Sequence, residues 1–120
     1  MPRMQDGSKF VTNVINLTTT GDTDVYVVPN NFSSHVENLF ITNSDTSNRE
    51  YTLKFFQNAT STTHILFSGH AVSGKSLEYI FTVDKPLYIH AGDKIIAAAN
   101  TANTLLVGVV AEEFFDPAFK

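Results

Sequence analysis

Along this chain apolar and polar residues alternate with a period close to 2 in segment after segment, and no long run favours the 3.6-residue period of a helix. The alternation is cleanest in REYTLKFFQ, where Tyr51, Leu53 and Phe55 share one face while Glu50, Thr52 and Lys54 take the other. That is the pattern of a half-buried antiparallel strand. SLEYIFTV repeats it, with Leu77, Tyr79, Phe81 and Val83 set against Ser76, Glu78, Ile80 and Thr82. Further segments rich in β-branched and aromatic residues, namely FVTNVINL, DVYVV, HVENLFITN, THILF, PLYIH, KIIAAA and TLLVGVVAEEF, bring the expectation to about nine strands. Clusters such as TTTGDTD, PNNFS, NSDTSNR, QNATST, SGHAVSGK and HAGD separate them with residues that favour turns.

Strands recurring at roughly 8–12-residue spacing with turn punctuation predict an all-β fold, an antiparallel β-sandwich of jelly-roll type with about 8–9 strands. At 120 residues the chain has room for one such domain, expected over residues 9–120. Residues 1–8 are too polar to pack and are expected to form a flexible arm.

Some apolar residues fall where a single sandwich would place polar ones. Phe56 follows Lys54 on the outward register of its strand, Ile80 lies between Glu78 and Thr82, and Leu106 and Val110 accompany the already apolar Leu105, Val107 and Val109. The C-terminal FFDPAFK adds Phe114, Phe115 and Phe119 where most chains fray. Such positions are covered either within the chain, by a loop or a tail that folds back, or by a neighbouring subunit, and on the second account Phe56, Ile80, Phe114, Phe115 and Phe119 are the candidate residues for an oligomer or capsid interface.

Composition narrows the function classes. With 12 acidic and 8 basic residues the formal charge is −4, and the basic residues are scattered, which argues against a nucleic-acid partner. No stretch approaches the roughly 20 apolar residues of a membrane-spanning helix, and MPRMQDGSKF has no apolar export core, so neither a membrane partner nor export is expected. The chain has no cysteine, hence no disulfide and no thiolate chemistry. Its histidines, His35, His64, His70 and His90, lack close ligand spacing, and Asp22 with Asp24 in GDTD falls short of a calcium loop. No metal site, cofactor or catalytic residue is expected. The stretch GHAVSGKS, from Gly69 to Ser76, does satisfy the phosphate-loop pattern letter for letter. A phosphate loop must open a helix whose N–H groups hold the phosphates. SLEYIFTV reads as a strand, so the stretch is expected to be a Gly-rich hairpin loop and the protein not to be an enzyme.

The segments VYVVPNNFSSHVENLFITNSDTSNREYTLKFF and PLYIHAGDKIIAAANTANTLLVGVVAEEF together resemble small virion proteins of tailed bacteriophages, especially phages of marine bacteria. The likeness covers most of the chain after Gly21, and its Ala-Gly-Asp turn is shared with jelly-roll proteins in general. The resemblance implies a non-enzymatic subunit located in the virion and assembled in the host cytoplasm. Its partners would be copies of itself and the major capsid or other virion proteins. The leading expectation is a capsid decoration (cement) protein acting as a homo-oligomer. The alternatives are a neck or tail component, or a tail-fibre-associated module that binds carbohydrate or the host surface.

If Lys75 is a loop charge in solvent, Lys75→Ala leaves folding and assembly unchanged. Equilibrium binding of a labelled nucleotide checks this: an affinity that the substitution abolishes would restore the phosphate-loop reading.

Overall fold

A computed structural model of the chain describes residues 4–82 and 87–117, with side chains from Ser8 onward. Among those residues it contains nine strands and no helix: β1 (Met4–Asn16), β2 (Thr23–Val27), β3 (Phe32–Asn43), β4 (Arg49–Gln57), β5 (Thr62–Val72), β6 (Leu77–Phe81), β7 (Leu87–His90), β8 (Lys94–Ala99) and β9 (Leu105–Phe115). Within the described residues, each segment picked out from the sequence contains a strand, while Val83 and Pro86 lie outside them. β1 begins at Met4, inside the stretch expected as an arm, and residues 1–3 lie outside the described residues.

The strands form two antiparallel sheets, consistent with a β-sandwich. One has the order β1-β9-β3-β6, with β7 also paired to β3; the other has the order β2-β8-β4-β5. Alternation explains the core between them. β8 buries Ile95, Ala97 and Ala99 and turns Lys94, Ile96 and Ala98 outward, while β9 buries Leu105, Val107, Val109 and Ala111. Val36, Leu39 and Ile41 of β3 complete the first inner face, and Tyr51 and Leu53 of β4 the second. Each large side chain taken out of water there stabilises the fold by about 1.5–3 kcal/mol.

Bulges break the period at several points, and each lets consecutive residues face the same way. In β2 the pairing slips at Val25, so Val25 and Tyr26 are both buried. In β6 the pairing passes from Phe40 opposite Tyr79 to Leu39 opposite Phe81, which leaves Ile80 as the extra residue. Ile80 and Phe81 both pack against the core as a result. The outward setting expected for Ile80 is therefore corrected. It is Leu77 and Tyr79 that stand in solvent, while Glu78 turns inward.

Two tyrosines of the second sheet reach across the sandwich to carboxylates of the first. The Tyr26 hydroxyl donates to Glu113 Oε2 at 2.6 Å and lies 2.9 Å from Ser34 Oγ. Glu113 is itself buried and has Lys9 Nζ at 3.8 Å. The Tyr51 hydroxyl donates to Glu78 Oε1 at 3.0 Å, and Glu78 Oε2 faces His70 Nε2 at 3.2 Å. Burial, then donation to a carboxylate, pushes both phenols well above the ordinary tyrosine value.

These bridges make stability fall in alkali. The unfolded chain releases its tyrosine protons near pH 10 and the folded chain only at higher pH, so above about pH 10 the unfolded state binds fewer protons and gains on the folded one. Urea unfolding at neutral pH and near pH 11 should show this loss. The double variant Tyr26→Phe, Tyr51→Phe should be less stable at neutral pH by about 1–3 kcal/mol per lost donor, yet lose less on going to alkali.

Candidate functional site

The two outer faces of the sandwich differ in chemistry. On the second sheet, Lys54 pairs with Asp22 at 2.9 Å and Lys94 with Asp24 at 3.5 Å, giving a salt-bridged, solvated surface. The GDTD acids thus serve these lysines. Phe56 lies on this face, half-buried, with Lys94 Nζ 5.5 Å from its ring centre.

The outer face of the first sheet is largely apolar, and its layout follows from strand register. One row runs Asn16, Leu106, Thr42, Leu77 and the next Val14, Gly108, Phe40, Tyr79. Farther along, Phe10 lies beside Glu112, Glu112 beside His35, and His35 beside Tyr88. Phe10, Val14, Tyr79 and Tyr88 are each more than half exposed, at 65%, 54%, 60% and 68%, and Leu77 and Phe114 are partly so. No other layer of the described chain covers them.

Gly108 sits at the middle of this face because of Phe40. The Phe40 ring lies across the Gly108 backbone where a Cβ would otherwise be, and Tyr79 meets the same ring edge-on at 6.1 Å. The absence of a side chain on β9 thus lets the Phe40 ring lie over the sheet, with Tyr79 packed edge-on against it.

Of the residues singled out from sequence, Phe114 and Phe115 lie at the exposed end of β9. Phe114 pairs with Ser8 and Ser33, and the Phe115 ring meets Phe32 edge-on at 5.8 Å. Phe56 is on the opposite outer face, Ile80 packs inward, and Phe119 lies outside the described residues. The alternation missed Leu77 and Tyr79 because the bulge at Ile80 exchanges the faces of β6, and Phe10 and Val14 because a period of 2 separates two faces of β1 without saying which is inward.

A second apolar feature opens at the β5 edge. Leu66 and Phe67 of β5, Phe55 of β4, Ile80 and Phe81 of β6 and Leu87 of β7 line a cleft of about 340 Å³. Two register slips and the left-handed backbone of Gly69, at φ 63°, distort β5 along this edge. Such irregularity hinders indiscriminate pairing with other strands.

The GHAVSGKS stretch runs from the end of β5 through a turn into β6. β5 and β6 belong to different sheets, so the turn is a corner between sheets, which corrects the expected hairpin. Lys75 N–H donates to the Asp45 carbonyl at 2.9 Å, and Gly74 packs so closely on the Thr46 backbone that no Cβ fits. A strand follows where a phosphate loop needs a helix.

No protein-family model matches the chain, and no curated protein matches it. Two crystal structures of a pentameric capsid protein isolated from metagenomic phage sequences, one of them solved by iodide SAD phasing, are similar to it at 20% identity and a TM-score of 0.44. The match covers 92% of this chain but only 64% and 65% of those chains, just under two thirds of their length. At that level the likeness assigns no role to this chain.

Gly108→Ala should displace Phe40 from its seat. Overpacking of this kind costs about 1–3 kcal/mol, to be read as a lower urea midpoint. Pairing it with Phe40→Ala should recover part of the loss, since the clash partner is then gone.

Proposed function

We propose that this chain is a non-enzymatic structural subunit of a phage virion, a capsid decoration protein that associates with copies of itself through the outer face of the first sheet. The observation that carries the reading is the set of exposed large apolar side chains on the outer face of the first sheet, Phe10, Val14, Leu77, Tyr79 and Tyr88 with Phe40 beside them, against a second face that carries lysine–aspartate pairs next to the exposed Ile65. Exposed aromatic side chains are what protein interfaces bury at their centres. Association costs about 4–15 kcal/mol of lost freedom, and each large apolar group buried returns about 1.5–3 kcal/mol. Several anchors are therefore needed, and this face presents several.

The sequence likeness to small virion proteins supports the location. Strand order supports the finer fold type. β6 and β7 pair with successive stretches of β3, so they count as two halves of one strand. Eight strands remain, ordered 1-8-3-6 in one sheet and 2-7-4-5 in the other, the order of two interleaved Greek keys in a jelly roll. The exposed Phe114 and Phe115 extend the proposed contact to the end of β9, with Phe119 beyond them in sequence. A second reading, a carbohydrate-binding module, draws on the exposed rings of Tyr79 and Tyr88.

Sedimentation and native mass measurement should find a homo-oligomer that also co-sediments with phage heads. The double variant Leu77→Lys, Tyr79→Glu should be monomeric with an unchanged β-type circular dichroism spectrum, and deletion of 114–120 should weaken association. A wild-type chain that stays monomeric and ignores heads, or a variant that assembles as well as wild type, would overturn the reading. A glycan-array signal lost in Tyr79→Ala or Tyr88→Ala would favour the carbohydrate module instead.

A further inference from the structure

We propose that His35, Glu37 and Glu112 form a binding site for one divalent transition-metal ion of the zinc class on the outer face of the first sheet. One ligand atom from each residue lies within 4.8 Å of the other two. Register places them there: His35 of β3 is directly opposite Glu112 of β9, and Glu37, two residues on, shares the outer side of β3 and is left unpaired by the bulge between Val36 and Asn38. Tetrahedral zinc, with bonds of about 2.0–2.2 Å, holds its ligands about 3.4 Å apart, so side-chain rotation of about 1 Å closes the set without moving the strands.

The His35 ring is positioned but poorly satisfied. It stacks on Tyr88, with centroids 4.5 Å apart and planes at 21°. Its Nε2 is buried with no hydrogen-bond partner, and its Nδ1 stands 4.0 Å from Glu37 Oε2, beyond hydrogen-bond reach. An imidazole held by stacking leaves a nitrogen lone pair for a metal. The carboxylates are similarly uncommitted to cations: among the described residues, neither Glu37 nor Glu112 has a lysine or arginine within salt-bridge distance. Glu112 is oriented from behind, because Ser8 Oγ donates to its Oε2 at 2.6 Å. Partners of this kind fix ligand geometry in metal sites.

The donor set chooses the ion. One imidazole nitrogen with two carboxylates suits zinc and its neighbours, whereas calcium takes six to eight oxygens and magnesium prefers oxygen and water. Three protein ligands leave a fourth tetrahedral position to water or another donor. The cluster lies on the face proposed for self-association, but the inference rests on its own geometry and its test reads zinc binding rather than assembly.

Titration calorimetry of the full chain with zinc chloride should show one ion bound per chain, with no comparable heat from calcium chloride. Zinc should also shift the imidazole NMR signals of His35 selectively among the four histidines. His35→Gln and Glu112→Gln, checked for folding by circular dichroism, should abolish binding, and Ser8→Ala should weaken it about tenfold. Absence of zinc binding, or binding unchanged in both ligand variants, would overturn the proposal. Because Glu112→Gln keeps the shape of the side chain, it remains decisive even if the histidine variant folds poorly.

Discussion

The packing of two sheets face to face is the constraint on which the rest of this molecule depends. A strand offers alternate side chains to opposite sides, so a sandwich is stable only when one set from each strand reaches the shared interior. Here the interior is filled by aliphatic residues of β3, β4, β8 and β9 and is closed by two tyrosines that carry a hydrogen bond from one sheet to the other. A buried carboxylate such as Glu113 is costly unless it is compensated, and it accepts a hydrogen bond from Tyr26 and has the Lys9 ammonium at ion-pair distance. The same contacts hold the sheets at fixed separation and thereby fix both outer faces.

Once the interior is set, the outer faces are free to differ. The β2-β8-β4-β5 sheet carries paired charges and suits water. The opposite sheet carries aromatic and branched side chains in neighbouring registers, with Gly108 making room for Phe40 to lie flat. That apolar composition is the basis of the contact face proposed above. Within it, the cluster of His35, Glu37 and Glu112 is a polar point where two carboxylates and a stacked imidazole converge.

Bulges did much of the positioning. The extra residue at Val25 buries two neighbours in a row, that at Glu37 leaves both Glu37 and Asn38 on the outer side, and that at Ile80 turns a residue with a polar-side register into the core. Each costs a ladder hydrogen bond and gains a side chain on a chosen face. The corner at Gly74, where the backbone approaches Thr46 too closely for any Cβ, moves the chain from one sheet to the other.

The sequence by itself determined the strands, because alternation is a local property: Tyr51, Leu53 and Phe55 share a side in any strand containing them. It also argued that GHAVSGKS opens no phosphate-binding helix, since the residues after Lys75 alternate. The tertiary structure decided where that alternation breaks: the bulge at Ile80 set Leu77 and Tyr79 outward and Ile80 against the core, the reverse of what alternation gives for β6. It likewise decided which distant residues became neighbours. Glu112 reaches His35 only because β9, last in the chain, inserts between β1 and β3. Spacing along the chain carries no trace of such a meeting, for strand order is fixed by how whole faces pack, a property no single segment possesses.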